Sequence, residues 1–307
     1  MGEFTINTEG VPFDLGCTLE SGQAFRWAKK GDWWYGVVPQ GVVKLRQEGP
    51  SLVCVSSSDE LDSHAVFHYL GLEDDLERIL ASIMKDPKMT EAVQTFYGLR
   101  LMKQDVWECL LSFTMATNSN IPRIGGMVSN LCQQLGETLE FEGERYWLFP
   151  SAEKVAAAEP SVLASCGLGY RARFVKGIAE AVHGGMRNLE ELRLHDYLRA
   201  RELLTEEILG RKTLIGIGPK VADCVLLFSC DKYSAFPIDV WIAKVLAGYY
   251  GHLFPEDLRE RLNSSVLGRA SLSGTTYDRL SAGARGYFGE FAGYAQQYLF
   301  HYERMRG

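Results

Sequence analysis

Apolar positions along this chain follow two different periods. Between residues 31 and 58 the runs Trp33-Trp-Tyr-Gly-Val-Val, Val42-Val-Lys-Leu-Arg and Leu52-Val-Cys-Val are short and rich in aromatic and β-branched residues. Pro39-Gln-Gly and Glu48-Gly-Pro separate them, so the pattern predicts three strands in an antiparallel meander. From about Asp59 the spacing lengthens to that of helices, with Ser58 or Asp59 placed to cap the first. Beyond residue 101 only helical patterns occur, at 104–117, 121–136, 151–158 (opened by Ser151 with Glu153), 170–184, 219–229, 239–250 and 283–302. The expected fold class is α+β, an N-terminal antiparallel β-sheet subdomain followed by a mostly α-helical core. The divisions read as 1–100 (sheet with helices), 101–155 joined by 256–307 (helical), and 156–255 (helical, carrying the chemistry described below). No repeat, low-complexity tract or long linker interrupts them, so the parts are expected to pack tightly.

Composition changes this picture little. At 307 residues, 46% hydrophobic and 23% charged, the chain has the make-up of a water-soluble globular protein with a sizeable core. No apolar run reaches the length of a membrane span, and the N-terminus lacks a signal-peptide layout; an intracellular protein is expected. The net charge of −7 is unusual for a nucleic-acid binder, but local distribution outweighs the sum. Arg171, Arg173 and Lys176 fall in an acid-free stretch, Arg211, Lys212 and Lys220 cluster in sequence, and the acids gather at Glu73–Glu77 and Glu137–Glu144. The seven cysteines are scattered with no C-x-x-C pair, an odd count that suggests free thiols. His64 and His68 have ligand-like spacing but no companions, so they read as a surface helix pair and no metal site is assigned.

The chemistry concentrates in Leu214-Ile-Gly-Ile-Gly-Pro-Lys220-Val-Ala-Asp-Cys224 and, nineteen residues after the lysine, Phe236-Pro-Ile-Asp239. Gly216 and Gly218 permit positive φ and close backbone approach, as a tight turn between helices requires. Pro219 suits the first helical position, where its missing N–H costs nothing. The free N–H groups at that helix start make a phosphate site. Lys220 and Cys224, four residues apart, share one helix face. The plain alternative is an ordinary helical hairpin with Lys220 in solvent and Asp223 as its i+3 ion-pair partner.

Together these segments resemble the helix-hairpin-helix plus Gly/Pro-Asp signature of the base-excision DNA glycosylase superfamily. The Lys-Val-Ala-Asp-Cys string most resembles its 8-oxoguanine DNA glycosylase/AP lyase family. Four further segments agree: Ser21-Gly-Gln-Ala-Phe-Arg-Trp27, Asn118-Ser-Asn-Ile-Pro-Arg123-Ile, Gly167-Leu-Gly-Tyr170-Arg171-Ala-Arg173 and Ala292-Gly-Tyr-Ala-Gln296-Gln-Tyr-Leu-Phe300. The resemblance spans nearly the whole chain and implies a helix-hairpin-helix glycosylase core. It implies Lys220 as nucleophile and Asp239 as the carboxylate that stabilises charge on the sugar. The implied base pocket is Gly22, Cys224, Pro237, Gln296 and Phe300. In it the Gly22 carbonyl would accept from the N7–H of 8-oxoguanine, Gln296 would read the Watson–Crick edge, and Phe300 and Cys224 would sandwich the ring. Asn118, Arg123 and Arg171 would serve the orphaned cytosine, with Tyr170 as the wedge and Gly216 and Gly218 at the backbone. The implied partner is double-stranded DNA with 8-oxoguanine opposite cytosine, bound by a monomer located with the genomic DNA (cytoplasm/nucleoid or nucleus). No cofactor is implied. Carbonyls near Leu214 and Ile217 are where relatives hold a structural cation. No cysteine follows Cys230, which disfavours the iron–sulfur branch of the superfamily.

The sequence also departs from the pattern. Ile215 stands where a proline is common, Pro219 where a threonine is, Trp241 where a phosphate-contacting histidine is, and Ser119 where an asparagine is. A free lysine has a pKa of about 10.4, so a nucleophilic Lys220 needs burial or nearby cations such as Arg211 or Lys212. The alternatives are a relative acting on alkylated purines or oxidised pyrimidines, and a non-catalytic DNA-binding module.

Overall fold

The computed structural model describes residues 2–208, 211, 212 and 214–306, with the side chains of 207, 208, 211 and 212 left aside. Five strands form one antiparallel sheet: β1 (Gly2–Asn7), β2 (Trp27–Lys30), β3 (Trp33–Val38), β4 (Gly41–Glu48) and β5 (Ser51–Ser56), in the order β1-β5-β4-β3-β2. The expected meander is its centre, and the sequence reading missed both outer strands. In β3 and β5 every second residue is buried, as one covered face demands. Trp34 pairs with Leu45 and Leu45 with Cys54, so three buried side chains line one row across that face.

Helices follow: α1 (Leu15–Glu20), α2 (Ser63–Tyr69), α3 (Leu76–Ile83), α4 (Pro87–Thr95), α5 (Val106–Met115), α6 (Ile121–Leu135), α7 (Ala152–Ala157) and α8 (Pro160–Ser165). The later ones are α9 (Ala172–His183), α10 (Glu191–Leu194), α11 (Tyr197–Thr205), α12 (Pro219–Ser229), α13 (Val240–Tyr249), α14 (Glu256–Val266), α15 (Gly274–Phe288) and α16 (Ala292–Arg306). Ser151 caps α7 as expected, its side chain accepting from the Lys154 N–H. The cap of α2, however, is Asp62 rather than Ser58 or Asp59, because the Asp62 carboxylate reaches the Ala65 N–H. The run read as one helix over 283–302 is two, separated at Gly289, where φ is 82°. A hairpin, Thr138–Phe141 with Glu144–Trp147, interrupts the supposedly all-helical region; its turn residues Glu142 and Gly143 have φ of 53° and 77°.

Two apolar clusters result. One lies between the sheet and α1–α2, and the other is continuous from Leu76 to Tyr302. Buried Arg100 ties the parts together, donating to the carbonyls of Pro12, Gly71 and Asp74 at 2.9, 2.7 and 2.9 Å. No helix among the described residues is long and apolar enough to cross a membrane.

Candidate active site

The turn before α12 is built by its glycines in different ways. Gly216 has φ of 91°, and a Cβ there would fall 2.6 Å from the Phe174 ring, so α9 closes on bare backbone. Gly218 does not take positive φ, contrary to expectation: it is the extended N-cap of α12, at φ −106° and ψ 177°. A Cβ on it would meet nothing within 4 Å, and among the described residues no side chain caps the N-terminal N–H groups of the helix. The Ile217 N–H donates to the Leu214 carbonyl at 3.3 Å and closes the turn.

Lys220 stands on the first turn of α12, partly exposed, with its ammonium 5.3 Å from the centre of the Phe113 ring. The plain ion-pair alternative fails on geometry. Asp223 is fully buried and bonds instead to Arg201 Nε at 2.9 Å, leaving Lys220 with no carboxylate within ion-pair distance among the described residues. Asp239 is the N-cap of α13, where its Oδ1 accepts from the N–H groups of Trp241 and Ile242 at 3.0 and 2.9 Å. Burial raises its carboxyl above the ordinary range, against the pull of those two N–H groups and of the Lys220 charge. Cys224 answers to the same pair: burial pushes its thiol up to about 11, Lys220 draws it down, and the charges of Asp223 and Asp239 add to the rise. Lys220, Cys224 and Asp239 therefore lie near enough to feel one another's charge. Arg211 and Lys212, named as possible partners of the amine, have side chains outside the described residues.

A second set converges from the chain ends. Gly22, at φ 80°, would bring a Cβ 2.7 Å from Ile121 Cδ1 and 3.3 Å from the Phe300 ring. Its loop is pinned on both sides. The Ser21 carbonyl accepts from Gln297 Nε2 at 2.9 Å, and Gln23 Nε2 donates to the Arg100 carbonyl at 2.7 Å. Gln296, 4% exposed, holds an Oε1 with no hydrogen-bond partner among the described residues. Such an atom normally finds one, and a ligand edge would supply it. Phe300 is half-buried and Pro237 buried. Aromatic contacts join the two sets, since Phe25 meets Phe113 at 5.6 Å beneath Lys220.

The third group lies at the loop after α5. Asn118 has φ of 51°, rare outside glycine, and its Nδ2 donates to the Tyr170 hydroxyl at 3.2 Å. Tyr170 is 48% exposed beside the Phe174 ring that packs on Gly216. Arg171 is turned inward: its guanidinium donates to the carbonyl of Thr117 and, at 3.0 Å, to that of Asn118. Arg123 stands apart and exposed on the first turn of α6. Trp241 lies under the Lys244 ammonium, 4.6 Å from the ring centre.

Three residues of this region escaped the sequence reading. Phe113 and Ile121 looked like ordinary helix core, and only the folded chain sets them against Lys220 and Gly22. Arg304, eight residues after Gln296, lies 5.6 Å from the Phe300 ring centre and donates to the Glu20 carbonyl; its spacing of two helical steps from Gln296 was the available signal. A cavity of about 280 Å³, lined by Trp27, Tyr69, Lys103, Gln104 and Arg193 among others, contains none of the candidate residues. Among the described residues no group of three or more His, Cys, Asp or Glu is placed to hold a metal ion.

Residues 5–110 match the model of the 8-oxoguanine DNA glycosylase N-terminal domain. The N-glycosylase/DNA lyase OGG1 of Arabidopsis thaliana is 32% identical over 311 residues, covering 97% of this chain and 79% of its own. Among solved structures, the apo 8-oxoguanine glycosylase/lyase of Clostridium acetobutylicum superposes with a TM-score of 0.83 at 28% identity, over 98% of this chain and 96% of that one. The same enzyme bound to double-stranded DNA containing cytosine opposite 8-oxoG gives 0.80 at 29% identity, over 96% and 92%.

Proposed function

The chain belongs to the OGG1 family of N-glycosylase/DNA lyases, and from that premise we propose that it excises 8-oxoguanine from duplex DNA opposite cytosine and nicks the strand. It acts where the genomic DNA is. What supports this reading is that Lys220 on α12 lies near enough for its charge to act on both Cys224 and Asp239, the latter at the head of a different helix.

The target bond lies inside the duplex, so the nucleotide is flipped out. In the pocket, Gln296 Oε1 gains the partner it lacks, the Gly22 carbonyl accepts from N7–H, and Phe300 stacks on the ring. Guanine has no N7–H, so it forfeits that bond. As the C1′–N bond breaks, the sugar gains positive character, and the Asp239 carboxylate opposes that charge from Oδ2, the oxygen not committed to the helix cap. The Lys220 amine forms the C1′–N bond as the base leaves with the bonding pair and a proton. Ring opening gives an imine on Lys220; loss of a C2′ proton then expels the 3′ phosphate. Burial keeps Cys224 a neutral thiol, suited to lie against a ring rather than to attack it. On the other face Tyr170 is exposed enough to wedge the duplex, with Asn118 beside it and Arg123 reaching out. Arg171 reaches cytosine only by exchanging its bonds to the 117 and 118 carbonyls.

Borohydride trapping on an 8-oxoguanine:cytosine duplex tests this. A covalent adduct is expected with the wild type and none with Lys220→Gln. Retained binding without an adduct would mark a DNA-binding module. Excision only of alkylated purines or oxidised pyrimidines would move the substrate elsewhere in the superfamily.

A further inference from the structure

Lys220 and Asp239 sit on different elements, α12 and the head of α13, so neither helix alone sets the distance between them. A third helix, α15, reaches both. Buried Tyr277 accepts at its hydroxyl from the main-chain N–H of Ile238 at 3.1 Å and donates to Asp223 Oδ2 at 2.8 Å. Ile238 immediately precedes Asp239, and Asp223 follows Lys220 by three residues. Four residues along the same face of α15, Ser281 Oγ donates to the Phe236 carbonyl at 3.3 Å, a second grip on the same segment. The far end is anchored too. Asp223 Oδ1 accepts from the Tyr197 hydroxyl at 2.8 Å and from Arg201 Nε at 2.9 Å, so the carboxylate that holds Tyr277 is itself fixed by α11.

We propose that Tyr277, assisted by Ser281, is a positioning residue for base excision: a strut that registers the Asp239 carboxylate against the Lys220 amine. The inference rests on the repair function above and adds a residue pair that touches neither DNA nor base. Its chemical consequence is a split between the two activities. Breaking the glycosidic bond needs Asp239 in place, because the sugar charge develops there. Nicking a preformed abasic site has no such bond to break and needs the amine. A carboxylate that drifts by a fraction of an ångström therefore slows excision and spares nicking.

The experiment compares Tyr277→Phe and Ser281→Ala with wild type in single-turnover excision of 8-oxoguanine opposite cytosine. Nicking of a preformed abasic duplex, affinity for the lesion duplex and thermal melting are measured alongside. Enzyme is normalised to its borohydride-trappable fraction. Tyr277→Phe is expected to slow excision by about tenfold or more, with nicking and affinity within about threefold, given the sensitivity of oriented reactions to misplacement. Ser281→Ala should show the same split, smaller, at about threefold. A merely structural role would lower both activities together, and that result, or unchanged excision, overturns the proposal. If Tyr277→Phe does not fold, the Ser281→Ala ratio decides, and an unchanged ratio overturns it. A wild type that excises nothing from the lesion duplex would instead refute the repair function itself.

Discussion

Replacing Asp239 separates its role as a helix cap from its proposed role in excision, because asparagine can do the first and not the second. In the fold, Asp239 Oδ1 caps α13 by accepting from the Trp241 and Ile242 N–H groups. Asparagine caps as well as aspartate, whereas alanine at an N-cap costs about 0.5–2 kcal/mol. The charge has the opposite effect on stability. The folded carboxyl has a pKa raised by burial above its ordinary 3.8, with the N–H groups and Lys220 opposing without prevailing. The native state thus holds that proton more tightly than the unfolded chain does, and stability falls as pH rises from the ordinary value through the raised one. Above that window the penalty is complete; below it there is none. Asp239→Asn removes the penalty and keeps the cap, so at pH 7 it should be at least as stable as wild type, and the gap should close as pH falls toward the ordinary carboxylate range. Asp239→Ala should lie about 1 kcal/mol below Asp239→Asn at every pH. Activity goes the other way: loss of one transition-state electrostatic group typically lowers the chemical step by about 10²–10³-fold. Urea unfolding followed by far-UV circular dichroism at several pH values gives the stabilities, and single-turnover excision gives the rates. An Asp239→Asn protein that is as unstable as Asp239→Ala, or that excises within threefold of wild type, would refute the reasoning.

Two further outcomes follow from the pocket. Gly22→Ala forces a side chain into φ 80° and against Ile121, 2.7 Å away; the conformation alone costs about 1–2 kcal/mol. Affinity for the lesion duplex should fall about tenfold while undamaged duplex binds as before, a comparison made by fluorescence anisotropy. With its thiol pushed up to about 11, Cys224 should resist iodoacetamide at pH 8 in the folded enzyme and react once denatured; peptide mass spectrometry showing rapid native labelling would contradict the burial argument.

Where the chain spoke through local rules, sequence reading worked. The period-2 runs at 33–55 became β3–β5, and Ser151 capped its helix, because each depends on residues a few positions apart. The hairpin at 138–147 was hidden by its charges: Glu140, Glu144 and Arg145 are exposed on strands only four residues long, which leaves too few apolar positions to show a period. β1 was missed because its pairing partner, β5, lies some fifty residues away, and a solitary edge strand carries no turn signal of its own. Around the candidate site, the strings that carry Lys220 and Asp239 stand out in the sequence and the residues that support them do not. Lys220 and Asp239 stand in recognisable strings, but nothing around Tyr277 or Phe113 marks them as different from core; their roles come from what the folded chain places opposite them. The inward turn of Arg171 belongs to the same class, since its partners are carbonyls, which leave no trace in sequence.

Several polar and conformational costs of the fold fall at the candidate site, and others, such as the unpaired Nε atoms of Arg46, Arg187 and Arg285 and the positive φ of Glu142 and Asp231, lie away from it. Asp239 carries a charge that burial opposes, Gln296 keeps a buried oxygen without a partner, and Asn118 and Gly22 take φ of 51° and 80°. Other buried groups are better served, though not completely: Asp223 has three donors, Asp74 accepts from the Tyr233 and Tyr294 hydroxyls, and Arg100 reaches three carbonyls while its Nη2 stays unpaired. On the proposed function, the unpaired Gln296 oxygen is half of a contact whose other half arrives with an extruded base, which would recover on binding the stability forgone in the free protein.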